Sequence, residues 1–248
     1  VPDFDLRYAR QHVLPGFGAE GQARLRAASA LIVGLGGLGS PAAIYLAAAG
    51  IGHLHVCDFD RVDETNLQRQ ILHGTPDIGE DKTASAKHAL ARLNPDVAIT
   101  TINRRLDPVA LARTVAAMDV VLDCSDNFGT RFAINQACVA HGVPLVSGAA
   151  IRYQGQLAVF TPGPGDNACY RCLFDESDEI IEDCRSNGIL GPVTGVIGSL
   201  QAAEAIKLVT GVGTPAAGRL RTYDALTGAW REYRIPRDPD CPVCGGRR

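Results

Sequence analysis

The 248-residue sequence has no excess of basic residues: 24 Lys and Arg stand against 27 Asp and Glu, a formal net charge of -3. Without a basic field, a primary role in binding DNA or RNA is excluded. The N-terminal "VPDFDLRYARQH" lacks the apolar core of a secretory leader, which points to a cytoplasmic protein. No internal repeat and no low-complexity linker divides the chain. Charge is missing altogether from residues 27 to 52, a length that could span a bilayer, but Gly34, Gly36, Gly37 and Gly39 would break a membrane helix near its middle. A buried strand, a tight turn and a buried helix account for the same run, so no membrane partner is expected.

Within that run, "SALIV" (29–33) and "HLHVCDFD" (53–60) read as strands, and residues 38–49 as a helix with Pro41 tolerated in its first turn. Residues 81–94 form the next helix, with Ala84, Ala89, Leu90 and Leu93 expected on its apolar side. A strand at 97–103, a helix from about Pro108, a strand at 119–124, a helix from about Thr130 to His141 and a strand at 144–148 follow. This alternation predicts an α/β fold, a Rossmann-like, mostly parallel sheet with helices on both faces and ligands at the carboxyl ends of the strands. After residue 150 the pattern changes. A strand at 154–163, an acidic loop at 175–184, a helix at 195–211 ending at Gly211, and a hairpin at 218–236 predict an antiparallel C-terminal part. We therefore expect one domain over 1–248, with a nucleotide-binding half (1–150) and a second half (151–248).

Gly34-x-Gly36-x-x-Gly39 reads as a phosphate-binding turn, since small residues let backbone N–H groups and a helix N-terminus approach an anion, with close strand–helix packing as the alternative. With Asp58 placed to accept from a ribose, it fits NAD and ATP alike. The neighbours separate the two. Asn66, Gln68, Arg69 and Gln70 cluster past a strand end, and Lys82 begins a helix; cations suit a triphosphate, and hydride transfer has no use for them. In "DCSDN", Asp126 is either a Mg²⁺ ligand or a helix cap, Asn127 could help orient phosphates, and Asp123 could bind backbone N–H groups. Cys169-x-x-Cys172 and Cys241-x-x-Cys244 supply four thiolates for a closed, structural Zn²⁺ site, with redox dithiols as the alternative. Cys57, Cys124 and Cys138 read as buried small hydrophobes, whereas Cys184 stands in the acidic loop, whose charges would raise its thiol pKa.

Taken in order, "RYARQ", "LIVGLGGLGSPAA", "NLQRQIL", "DIGEDK", "LDCSDN", "CYRCL", "GVIGSLQAAEAIKL" and "CPVCGG" resemble the E1-like adenylyltransferase family of ThiF, MoeB and HesA along nearly the whole chain. The resemblance implies a homodimer that uses MgATP to adenylate the C-terminal Gly-Gly carboxylate of a ubiquitin-like sulfur-carrier protein. Pyrophosphate leaves, and a thiocarboxylate forms later. It also implies that Arg69, Asn66, Lys82 and Arg10 contact phosphates, Asp126 holds magnesium and Asp58 the ribose, with Arg10 reaching the neighbouring subunit's ATP. The second half would then bind the carrier. "DCRSNGILGPVTGV" and "CPVCGGRR" resemble the thiamin-pathway branch, whose loop cysteine, here Cys184, can bond to the carrier; "LVSGAAIRYQGQLAVF" resembles the molybdopterin branch. An appended rhodanese domain is expected to be absent, so sulfur would come from a separate cysteine desulfurase or rhodanese. Two other classes compete: an NAD-dependent oxidoreductase, and a non-catalytic binding scaffold that would have no use for the triphosphate clamp.

Overall fold

A computed structural model of the chain describes residues 6–163, 167–175 and 188–245. Two short elements, α1 (Ala9–His12) and α2 (Gly18–Ala27), precede β1 (Ser29–Val33). Then come α3 (Gly39–Ala49), β2 (His53–Cys57), α4 (Lys82–Leu93) and β3 (Ala98–Ile102). The parallel half closes with α5 (Pro108–Val115), β4 (Val120–Asp123), α6 (Phe128–His141) and β5 (Leu145–Ile151). Beyond it lie β6 (Gln154–Phe160), α7 (Tyr170–Leu173), α8 (Gly191–Thr210), β7 (Arg219–Asp224) and β8 (Ala229–Arg234).

All eight strands form one sheet in the order β3-β2-β1-β4-β5-β6-β7-β8. The pairs from β3 to β5 are parallel, and those from β5 to β8 antiparallel. The expected change of sheet type thus falls at the β5–β6 turn, inside a continuous sheet. Strand order reverses between β2-β1 and β1-β4, and the crevice at that switch point is where an open α/β sheet binds ligands.

Alternate residues of each central strand enter opposite cores, which is why those strands read as unbroken apolar runs. Ala30, Ile32, Leu54, Val56 and Leu122 pack with α3, α4 and α8 on one face. Leu31, Val121, Leu145 and Phe160 pack with α5, α6 and α7 on the other. The charge-free stretch 27–52 is β1, its turn and α3, and among the described residues no helix is long and apolar enough to cross a membrane.

Three expectations need correction. On α4 the buried residues are Lys82, Thr83, Ser85, Ala86 and Leu90, Ala89 packs partly buried against the same core, and Leu93 is exposed; the covered side is the one that meets α3 and the sheet. Helix α8 starts at Gly191, with Pro192 in its first turn, four residues earlier than the composition suggested. Helix α6 starts at Phe128, and its cap is Asn127, whose Oδ1 accepts from Thr130 N at 2.9 Å. Asp126 therefore does not cap the helix.

Candidate functional site

Beyond the carboxyl ends of β1, β2, β3 and β4 lies a cleft of about 430 Å³, within the range of small-molecule sites. Its floor is the β1–α3 turn. Gly34 takes φ +93°, and a Cβ there would lie 2.6 Å from the Cys124 carbonyl oxygen. Gly39 does not face the cleft; a Cβ on it would stand 1.9 Å from the Gly34 carbonyl oxygen, so it lets α3 start tight against β1. Among the described residues the N–H groups of Gly36 and Gly37 have no acceptor, and both glycines line the cleft at the N-terminus of α3. Unpaired N–H groups and the helix dipole together form an anion seat.

Asp58 follows β2. Its Oδ2 accepts from Leu35 N at 2.7 Å and its Oδ1 from Asp60 N at 2.9 Å. A carboxylate offers about four acceptor positions, so capacity remains for a ribose hydroxyl. Lys82, at the start of α4, is buried, and its Nζ lies 3.2 Å from Asp60 Oδ2 in the cleft wall. Arg69 lines the same wall, with its Nη1 donating to Thr65 O at 3.0 Å. Across the cleft, Asp126 is exposed, and among the described residues its Oδ1 accepts only a long 3.3 Å bond from Asn127 Nδ2. Asn127 also reaches the lining, although its amide oxygen is committed to the cap.

Asp123 lies beneath this loop, fully buried. Burial pushes its carboxyl upward, while Arg131 and bonds from Ser125 and Ser147 oppose the shift. Ser125 N and Oγ and Ser147 Oγ donate to it, so it binds a backbone N–H as expected and fixes the loop that carries Asp126. Gln201 of α8 braces the same strand end, donating from Nε2 to Asp123 O at 2.8 Å.

Besides Gly39, the structure leaves three of the expected residues outside the lining. Gln68 is exposed, and its backbone oxygen would lie 2.6 Å from a Cβ on Gly191, so it packs at the start of α8. Asn66 acts through its carbonyl, which accepts from Arg69 N and Gln70 N. Arg10, on α1, is exposed and away from this chain's own cleft. Cys184 lies outside the described residues.

Gln70 lines the cleft in place of Gln68, because the turn after Asn66 aims residues 69 and 70 inward; among the described residues its buried Oε1 has no partner. Composition also passed over Phe59, Arg104, Arg105, Arg131 and Thr194. Arg104 and Arg105 had a signal, a tandem of cations directly after β3. Thr194 had none, since it arrives from the antiparallel half. Arg105 stacks over the Phe59 ring at 4.8 Å. Five cations in all, Arg69, Lys82, Arg104, Arg105 and Arg131, line the cleft against three carboxylates, Asp58, Asp60 and Asp126. That balance suits a polyanion.

The four cysteines of the two C-x-x-C pairs meet beside α6, all sulfurs within 4.8 Å of one another. Cys169–Cys241 is 3.7 Å, Cys172–Cys244 3.4 Å and Cys169–Cys172 4.0 Å. Thiolates bound tetrahedrally at 2.3 Å would stand about 3.8 Å apart, so the set could hold a metal ion. Asn135 of α6 orients it, its Nδ2 donating to Cys169 Sγ and its Oδ1 accepting from Tyr170 N. Cys57, Cys124 and Cys138 are buried as expected; burial pushes the Cys57 thiol up to about 11 and raises the other two further.

Residues 8–243 match the ThiF family. Over 97% of its length the chain is 51% identical to the molybdopterin-synthase adenylyltransferase of Escherichia coli, covering 96% of that protein. It is 49% identical to the sulfur carrier protein ThiS adenylyltransferase of the same organism, again over 97% of the chain and covering 95% of that protein. Among solved structures, Escherichia coli MccB with ATP superposes with a TM-score of 0.86 at 25% identity, over 98% of this chain and 75% of that one.

Proposed function

The chain belongs to the ThiF family, and on that premise we propose that it uses MgATP to adenylate the C-terminal Gly-Gly carboxylate of a ubiquitin-like sulfur-carrier protein of the ThiS type. The observation that carries this reading is the cleft itself: among the described residues, two unpaired N–H groups at the start of α3 share its lining with five cations and the exposed Asp126. A carrier carboxylate is ionised at neutral pH and needs no protein base. It attacks the α-phosphorus in line, a new C–O–P link forms, and pyrophosphate departs with the electron pair of the broken bond. Catalysis is then positioning and charge neutralisation. Gly36 and Gly37 seat phosphate oxygens, Asp58 holds the ribose, and Lys82 and Arg69 offset the charge that develops as pyrophosphate leaves.

Asp126 is the residue suited to hold Mg²⁺, which supplies further neutralisation of the phosphates when bound. Arg10 would serve the cleft of a second copy, making the active form a homodimer. In this reading residues 1–150 bind the nucleotide, 151–248 receive the carrier, and the four cysteines hold a structural Zn²⁺ that ties the C-terminal tail to α6 and α7. Cys184 would act only in the later sulfur step, with a separate sulfur donor, and the reaction would take place in the cytoplasm. Carrier-dependent ATP–pyrophosphate exchange tests the proposal; no exchange with any carrier ending in Gly-Gly would refute it. The 51% identity to a molybdopterin-synthase adenylyltransferase favours a second reading, in which the carrier is the small subunit of molybdopterin synthase. Running the exchange assay with both carriers decides between them.

A further inference from the structure

His73 lies directly behind the glycine turn, and the reaction as proposed makes no use of it. It is buried. Its Nε2 is 3.1 Å from the Leu35 carbonyl oxygen and its Nδ1 is 2.8 Å from Ser85 Oγ on α4. A carbonyl oxygen only accepts, so the ring hydrogen must sit on Nε2. Ser85 Oγ is in turn 2.9 Å from Asp77 Oδ2, and its one hydroxyl hydrogen goes to the ring or to the carboxylate, one at a time. The same Asp77 oxygen accepts from Gly74 N at 2.7 Å, and that bond, the largest influence on it, holds the Asp77 carboxyl below its ordinary value. The row Asp77, Ser85, His73, Leu35 thus runs from a charged loop to one peptide group in the cleft floor.

That peptide group is the one that matters. The Leu35 carbonyl and the Gly36 N–H belong to a single planar trans peptide, so they point in opposite directions. Turning the carbonyl toward His73 turns the Gly36 N–H away from it, on the side of the cleft that Gly36 lines. The other end of Leu35 is also held, its N–H donating to Asp58 Oδ2. Ser40 Oγ reaches the Leu35 carbonyl only at 3.5 Å, too long to hold it alone. Two successive glycines follow, Gly36 and Gly37, and a glycine pair rotates its peptides at little steric cost. An unbraced Leu35–Gly36 peptide would therefore sample orientations that aim its N–H elsewhere.

We propose that His73 is a positioning residue for the nucleotide: its Nε2–H holds the Leu35 carbonyl so that the Gly36 N–H is presented to a phosphate oxygen, with Ser85 and Asp77 holding the ring. The proposal rests on the nucleotide-binding reading of the cleft.

The test uses full-length wild type, His73→Leu, His73→Gln and Ser85→Ala. MgATP affinity is measured by titration without carrier, and KM and kcat by pyrophosphate exchange, with thermal melting to establish that each variant is folded. Loss of one aligned bond to a charged phosphate predicts about tenfold weaker ATP binding for His73→Leu. KM for ATP rises with it, while KM for the carrier is unchanged. His73→Gln can still donate to the Leu35 carbonyl and restores affinity to within about threefold of wild type. Ser85→Ala, which leaves the ring in place but unguided, weakens ATP by about threefold and carries the test if His73→Leu does not fold. Folded His73→Leu with wild-type ATP affinity, His73→Gln no better than His73→Leu, or Ser85→Ala with unchanged affinity beside an unfolded His73→Leu would overturn the brace. Wild type that binds no MgATP would overturn the nucleotide reading itself, and the brace with it.

Discussion

Lys82→Met isolates charge from packing in the cleft wall. The Lys82 side chain is 6% exposed and ends 3.2 Å from Asp60, whose side chain is 53% exposed. Methionine replaces most of the buried alkyl stem and removes the ammonium, and Asp60, half in water, stays hydrated. Because the partner is so exposed, the lost ion pair costs the fold no more than about 1 kcal/mol. The effect on chemistry is larger. A preorganised cation facing the charge that builds up as pyrophosphate leaves is worth about 3 kcal/mol, a loss of roughly two orders of magnitude in carrier-dependent exchange. Asp60→Asn does the opposite: it strands the buried ammonium, lowering the melting temperature without nucleotide, while MgATP should raise that temperature more than it does for wild type. Exchange is measured at saturating carrier, and melting with and without MgATP. A folded Lys82→Met protein that exchanges within about threefold of wild type would refute the assignment of Lys82 to the reaction.

Gly39→Ala places a Cβ 1.9 Å from a backbone oxygen that cannot move aside without shifting β1 or α3, so it should destabilise by about 3 kcal/mol; an unchanged urea midpoint would contradict the packing described. Cys172→Ser should abolish stoichiometric zinc in elemental analysis and lower the melting temperature, with exchange per folded molecule retained; zinc-free wild type with the same melting temperature would rule out a structural metal. Burial, chiefly, holds His73 and His55 below the ordinary histidine value of 6.5, with Lys82 adding to the effect on His73 and His53 to that on His55. The folded protein then takes up these protons less readily than the unfolded chain. The stability they contribute is present above about pH 6.5 and lost as pH falls through the lowered values; a melting temperature that rises between pH 7.5 and 5.5 would reverse that sign.

Most of the parallel half was legible because β-α alternation and two-sided burial leave direct marks on the sequence: "SALIV" is β1 to the residue, and Pro41 does fall in the first turn of α3. The cleft was located for the same reason, since strand ends carry the ligand loops. Which side chain enters it was harder. Gln68 and Gln70 differ by two positions in a short turn with no period to read, and only the path of residues 64–70 turns Gln70 inward. Leu93 on α4 looked apolar-facing, but which side of a short helix is covered depends on where its neighbours lie.

By itself, the sequence determined the order and type of the main elements from β1 onward, the glycine turn, the four sulfurs and the family. These are local patterns or fixed spacings, and composition records them. Tertiary structure decided what depends on distant segments meeting. It brings Arg104 and Arg105 from β3 and Thr194 from α8 into the cleft, gives the cap of α6 to Asn127 and leaves Asp126 exposed. It also sets His73 against Leu35, 38 residues away in the chain. A hydrogen bond across such a separation has no spacing rule, because its geometry exists only once the strands, turns and helices between its partners have packed.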